Sequence, residues 1–183
     1  MDRNSTEQYS SNQIIVRDAS AEDAQAIMHI WNSNISSTLN TFNSHIKTEL
    51  EIKDTILETN KKNYGFFVSE CEGTIIGFAT YFQFRTGVGY AKTLEHTIVI
   101  SESMQRCGVG KALMASLLDD AKRKNFQSIF AGVSGSNERA VNFHASLGFK
   151  VVAELPRVGY KFDKWLDLIL MQKFLQTDHR DDF

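Results

Sequence analysis

Gln105-Arg106-Cys107-Gly108-Val109-Gly110-Lys111 stands between a β-rich run, Thr93 to Ile100, and a helical pattern. That pattern places Val109, Ala112, Leu113, Leu117, Leu118 and Ala121 at helical spacing, which predicts one buried face. Strand, glycine-containing loop, then amphipathic helix is an arrangement suited to an anion. Glycines let the backbone approach closely, N–H groups at the helix start point at the ligand, and the helix dipole favours negative charge there. A pyrophosphate is the natural occupant, and Arg106 and Lys111 add charge-assisted contacts. Two better-known phosphate loops do not fit. A P-loop needs Gly at position 105 and Ser or Thr at 112, where this chain has Gln105 and Ala112; a dinucleotide fingerprint needs Gly where Leu113 stands. Taken alone, the glycines equally fit a turn that caps a helix for packing.

Working outward, Ile14-Ile15-Val16 reads as a strand, and Ser20 with Asp23 reads as an approximate capping box opening a helix through Ile35. Thr41-Phe42 follows a polar stretch, and Glu49 to Thr59 reads as a second helix. Gly65 to Cys71 and Thr74 to Phe84 read as a hairpin turning at Glu72-Gly73. Downstream, Gln127 to Val133 is a strand and Asn137 to Leu147 a helix, N-capped by Ser136 or Asn137 and ended by a left-handed Gly148. Val151 to Leu155 and Leu166 to Phe174 close the chain as strands. The order predicts an α/β protein with a mixed sheet flanked by helices.

The bulk properties narrow the function. With 183 residues, 42% of them apolar and 23% charged, the chain is long enough for one sizeable core. A net charge of −2 without a dense Lys/Arg cluster argues against nucleic acid. Apolar runs fall far short of the roughly 20 residues that span a bilayer, and the polar start lacks a signal-peptide core. Cys71 and Cys107 make neither a metal-spacing motif nor a disulfide framework, so no metal is expected and a reduced cytoplasm is. Residues 1–12 and 176–183 are expected to be frayed tails around a single domain over 13–175.

Gln105-x-x-Gly108-x-Gly110 after a strand resembles the coenzyme A pyrophosphate loop of the GNAT acetyltransferases. Asn137-x-x-Ala140, Phe143-His144 and Leu147-Gly148-Phe149 resemble the second signature of that superfamily. The likeness extends to the phosphinothricin acetyltransferase-like branch through Thr41-Phe42, Phe84-Arg85 with Tyr90, Leu94-Glu95-His96-Thr97, and Gly159-Tyr160-Lys161-Phe162 with Trp165-Leu166-Asp167. It covers roughly residues 14–175. The departures, Glu102 for proline, Arg106 for glycine and Gln83 for proline, bear on loop rigidity and substrate fit.

The resemblance implies a GNAT fold with a mostly antiparallel central sheet, acetyl-CoA as co-substrate, a small-molecule amine acceptor and a homodimer. It also implies that Gln105, Arg106, Gly108, Gly110 and Lys111 surround the pyrophosphate, and that Val99 and Ile100 offer backbone groups to the pantetheine. A backbone N–H there would polarise the thioester oxygen. The acceptor arrives as an ammonium with a pKa of about 9–10, so acetyl transfer at neutral pH needs a base. Glu95 is the candidate, against the plainer alternative of a strand carboxylate in a salt bridge. His144 is the candidate to serve the leaving thiolate or orient the acyl group, against a structural histidine. His96 is expected on the opposite strand face from Glu95. Arg85 is the candidate clamp for an acceptor carboxylate, with Tyr90 and Phe42 lining the same pocket. Asn137 suits either the pantetheine or helix capping. Cys107, without a His/Asp partner set, is not expected to be a nucleophile.

Three functions remain. The leading one is N-acetylation of a small amino acid or analogue of the phosphinothricin, methionine sulfoximine or methionine sulfone type, by direct attack. The second is acetylation of a polyamine, antibiotic or protein N-terminus. The third is a non-catalytic acyl-CoA sensor on the same fold.

Overall fold

The computed structural model describes residues 14–176. Of the expected tails, 1–12 and 177–183 lie outside the described residues; Gln176 donates its side-chain amide to the carbonyls of Lys122 and Phe126. The elements are β1 (Ile14–Asp18), α1 (Ala24–Ser37), α2 (Glu49–Lys61), β2 (Phe66–Cys71), β3 (Thr74–Gln83), β4 (Thr93–Ile100), α3 (Val109–Arg123), β5 (Ser128–Ser134), α4 (Glu138–Ser146), β6 (Lys150–Lys161) and β7 (Lys164–Phe174). One seven-stranded sheet runs in the order β1-β2-β3-β4-β5-β7-β6. Every neighbouring pair is antiparallel except β4 with β5.

Local chemistry sets the element ends. The Asp23 carboxylate accepts from the Ser20 N–H at 2.8 Å, as the capping-box reading expects, and also receives both terminal nitrogens of Arg17 at 2.8 Å. The second helix carries a capping box not noticed in the sequence, with Thr48 Oγ1 accepting from Glu51 N and the Glu51 carboxylate accepting from Thr48 N. At the β2–β3 turn Glu72 and Gly73 both have positive φ, 51° and 76°, which matches the right-handed twist of a two-residue hairpin. Asn137 caps α4 by accepting from Ala140 N, and Gly148 follows its end at φ 86°.

Apolar side chains cover both faces of the sheet. On one face Phe78 and Val99 pack with Ile27 of α1 and Ile52 and Ile56 of α2. On the other, Tyr81, Leu94 and Ile129 pack with Leu113, Met114 and Leu117 of α3. Since strand side chains alternate, Glu95 and Thr97 share the α1/α2 face with Val99, while His96, Ile98 and Ile100 share the α3/α4 face with Leu94.

The last strand pair departs most from the sequence reading. Here β6 continues six residues beyond the predicted Leu155, through Pro156 and Gly159. Its register with β7 breaks between Leu155 and Gly159, and the Asp167 carboxylate holds the irregular turn by accepting from Arg157 N at 2.8 Å. Such a bulge re-aims the side chains that follow it.

Candidate functional site: a cleft where two strands part

The parallel pairing of β4 with β5 covers only Thr93–Glu95 against Ser128–Phe130. Beyond Glu95 the strands diverge, with β4 staying on β3 and β5 staying on β7. A cleft of about 1780 Å³ opens there, lined by residues 96–100 on one wall and Ala131, Gly132 and Val133 on the other. Backbone groups of β4 that face away from β3 in this stretch have no neighbouring strand among the described residues, so they can receive an extended ligand as a strand would be received.

One end of the cleft is the loop singled out in the sequence. Gln105, Arg106, Gly108, Gly110 and Lys111 all line it, together with Arg139 of α4, which sequence reasoning missed. Gly108 is the N-cap of α3 at φ 85°, with open space around its α-carbon. The glycine is there for its backbone conformation. Gly110 serves close packing, because a Cβ on it would stand 3.0 Å from Ile100 Cδ1 and 3.2 Å from the Phe143 ring. The free N–H groups of the first turn of α3 then face the cleft end, which is anion-binding geometry. Gly108→Ala places a side chain in the left-handed region at a cost of about 1–3 kcal/mol. The expected result is a rise of about tenfold in acetyl-CoA KM with the acceptor KM nearly unchanged, measured by steady-state kinetics.

Glu95 sits where the strands part, on the α1/α2 face. It does not itself line the cleft, but a Cβ on Gly132, which does, would stand 3.1 Å from Glu95 Oε1. Burial pushes the Glu95 pKa above the usual carboxylate range, and the positive charge of Arg85 opposes that only in part. Among the described residues Glu95 has no salt bridge, so the plainer alternative is not what this geometry provides.

His144 lies on the far face, 5% exposed, with Nδ1 2.7 Å from the Ala140 carbonyl oxygen. A carbonyl only accepts, so Nδ1 carries the proton and Nε2 of the neutral ring keeps its lone pair. Burial lowers the His144 pKa, with the Ala140 bond opposing, which keeps the ring neutral at neutral pH. Nε2 is buried without a hydrogen-bond partner among the described residues. His96 packs beside it, ring centroids 5.1 Å apart, and burial takes its pKa down to about 3. Both histidines border the cleft.

The other candidates divide. Val99 and Ile100 line the cleft. Asn137 lines it too, but its amide is engaged twice, accepting from Ala140 N at 3.0 Å and donating to Asn40 Oδ1 at 2.8 Å. The capping role is therefore realised, with one amide hydrogen left over. Phe42, Arg85 and Tyr90 do not line the cleft. Arg85 is exposed and lies over the Phe84 ring at 5.1 Å, while Phe42 packs on Gly159. Cys107 is a part-exposed free thiol whose Sγ points to the Gln105 carbonyl, and among the described residues it bonds to no histidine or carboxylate.

A cleft between strands that part after one parallel pair, with the start of α3 at its end, suits an extended ligand that ends in an anion, as an acyl-CoA does. The chain belongs to the acetyltransferase (GNAT) domain family, which it matches over residues 16–170, and it is an acetyl-CoA-dependent N-acetyltransferase of that family. Among its relatives, an L-methionine sulfoximine/L-methionine sulfone acetyltransferase of Salmonella typhimurium is 33% identical over 164 residues, covering 89% of this chain and 94% of the relative. A phosphinothricin N-acetyltransferase of Streptomyces viridochromogenes is 30% identical, covering 86% of each chain. The crystal structure of a GNAT superfamily phosphinothricin acetyltransferase from Sinorhizobium meliloti, in complex with acetyl-CoA, superposes with a TM-score of 0.88 at 26% identity, covering 93% of this chain and 92% of that one.

Proposed function

We propose that this enzyme acetylates the primary amine of a small amino acid or analogue, of the kind that its methionine sulfoximine, methionine sulfone and phosphinothricin acetylating relatives are named for. The observation that carries the reading is the opening between β4 and β5, which passes through the sheet and brings two chemically different faces to one point. Acetyl-CoA is the donor substrate and supplies the activated acetyl group. Gln105, Arg106, Gly108, Gly110, Lys111 and Arg139 hold its pyrophosphate, while Val99 and Ile100 offer main-chain hydrogen bonds to the pantetheine and one N–H to the acyl oxygen.

Glu95 acts as the base, on the face where α1 and α2 leave room for the acceptor. Its carboxylate lies just behind Gly132, so a single water carries the proton to it. On the other face His144 Nε2 is the free acceptor that takes a proton in transit to the leaving sulfur. Arg85 attracts the acceptor's carboxylate from the rim, its charge being near enough to act on Glu95. Arg85→Ala is expected to raise KM about tenfold for acceptors bearing a carboxylate and to leave the acetyl-CoA KM alone; equal rises in both would refute the clamp.

A second reading, a cationic acceptor such as a polyamine, is favoured by Asp54 and Glu58, which also line the cleft. The test is thiol release from acetyl-CoA with methionine sulfone, methionine sulfoximine, phosphinothricin, spermidine and an aminoglycoside. Turnover confined to the first three supports the amino-acid reading, spermidine or the aminoglycoside alone supports the second, and donor binding without any turnover supports a sensor.

We also propose a homodimer in the cytoplasm. Val151, Val152, Val158, Tyr160 and Trp165 are exposed apolar residues on the β6–β7 end of the sheet, and both cysteines are free thiols. Light scattering that reports a monomer would remove the dimer. Among the described residues no helix is long and apolar enough to cross a membrane.

A further inference from the structure

Gly159 to Phe162 is a stretch to which acetyl transfer assigns no task. Lys161 within it is 3% exposed, and among the described residues it forms no salt bridge. Its ammonium donates to the Thr38 and Thr41 carbonyls, each at 2.9 Å. Taking a cation out of water without a counter-charge is costly, so something must compensate it. Thr38 is the C-cap of α1, and α1 has no basic residue in its last turn. A lysine from a strand remote in sequence therefore supplies the positive charge that the negative end of the helix attracts.

Two further contacts hold the same segment. The Phe42 ring would stand only 2.3 Å from a Cβ on Gly159, so any side chain there displaces it. Asn40 Oδ1 accepts from the Asn137 amide of α4 at 2.8 Å. Thr38 to Phe42 is thus strapped down at three points, by β6 twice and by α4 once. The irregularity between Leu155 and Gly159 turns Gly159 and Lys161 inward, where both are buried. Thr38, Asn40 and Thr41 line the cleft between α1 and α2.

We propose that Lys161 is a positioning residue for acceptor recognition, holding the Thr38–Phe42 strap at a fixed height as the roof of the acceptor chamber, with Gly159 as the seat for Phe42. The inference rests on the reading that the acceptor occupies the α1/α2 face. Roof height limits the side-chain length of the acceptor, so loosening the strap weakens recognition of short amino acids and spares the donor site at the other end of the cleft.

The experiment compares Lys161→Met, Lys161→Arg and Gly159→Ala in the full chain. Lys161→Met is expected to raise the acceptor KM about tenfold with the acetyl-CoA KM within about twofold, and Lys161→Arg to recover most of that loss. Hydrogen exchange at the amides of residues 38–47 is expected to accelerate in Lys161→Met and Gly159→Ala while α3 amides keep their protection. Unchanged exchange over 38–47, or equal rises in both KM values with a lowered melting temperature, overturns the proposal. If Lys161→Met does not fold, Gly159→Ala carries the same test with the lysine in place. The exchange measurement needs no turnover, so it decides on the strap even if none of the amino-acid acceptors is acetylated.

Discussion

Glu95→Gln is expected to lower kcat about 100-fold at pH 7, with both KM values nearly unchanged. The loss follows from the state of the acceptor. An amine with a pKa of about 9–10 is almost wholly protonated at neutral pH, and an ammonium has no lone pair with which to attack. The base must itself be ionised. Burial raises the Glu95 pKa, so the active form is lost as pH falls through that raised value and is present above it. Wild-type kcat/KM should therefore rise with pH along a limb that Glu95→Gln abolishes. Near pH 10 the amine deprotonates unaided and the two proteins should converge to within about tenfold. A constant ratio at every pH sinks the base assignment.

The same burial has a sign for stability. A carboxyl with a folded pKa above its unfolded one binds more protons in the native state, so it destabilises the fold at pH values above both. Glu95→Gln should accordingly melt slightly higher than wild type at pH 7, and the gain should vanish as pH falls below the unfolded carboxyl pKa. A strand carboxylate held by a salt bridge predicts the opposite shift.

Much of the fold was legible because its signals are local. The Glu72-Gly73 hairpin, the Asn137 cap, the Gly148 stop and the α3 pattern each depend on residues within a turn or two of one another. What stayed hidden was long-range. Nothing in Thr93 to Ile100 or Gln127 to Val133 says that these strands pair for three residues and then part, because register depends on what each strand finds on its other side. Pro156 and Gly159 disguised the second half of β6, and only the bulge held by Asp167 explains how Lys161 comes to point inward. Arg139 gave no signal at all, since an arginine in a first helical turn is usually solvated. Phe42, Arg85 and Tyr90 carry the family likeness, yet none of the three lines the cleft.

Gly132→Val tests the apex of the cleft from the opposite strand. Gly132 needs no unusual backbone conformation, and it is exposed in a strand where valine is otherwise favourable. Its lack of a side chain matters because of where that side chain would go. A Cβ would stand 3.1 Å from Glu95 Oε1 and 3.5 Å from Leu168 Cδ1, and two further methyl groups would fill the floor of the opening. The carboxylate would be pushed aside, and the proposed water relay from the amine would lose its space. A fall of at least about 100-fold in kcat/KM for the acceptor is expected, with melting nearly unchanged and acetyl-CoA still bound. The double variant Glu95→Gln, Gly132→Val should be scarcely worse than either single one, since both remove one proton-transfer step. Fully multiplicative losses would mean that valine acts by blocking the acceptor alone, and that the glycine is needed for access and not for the base.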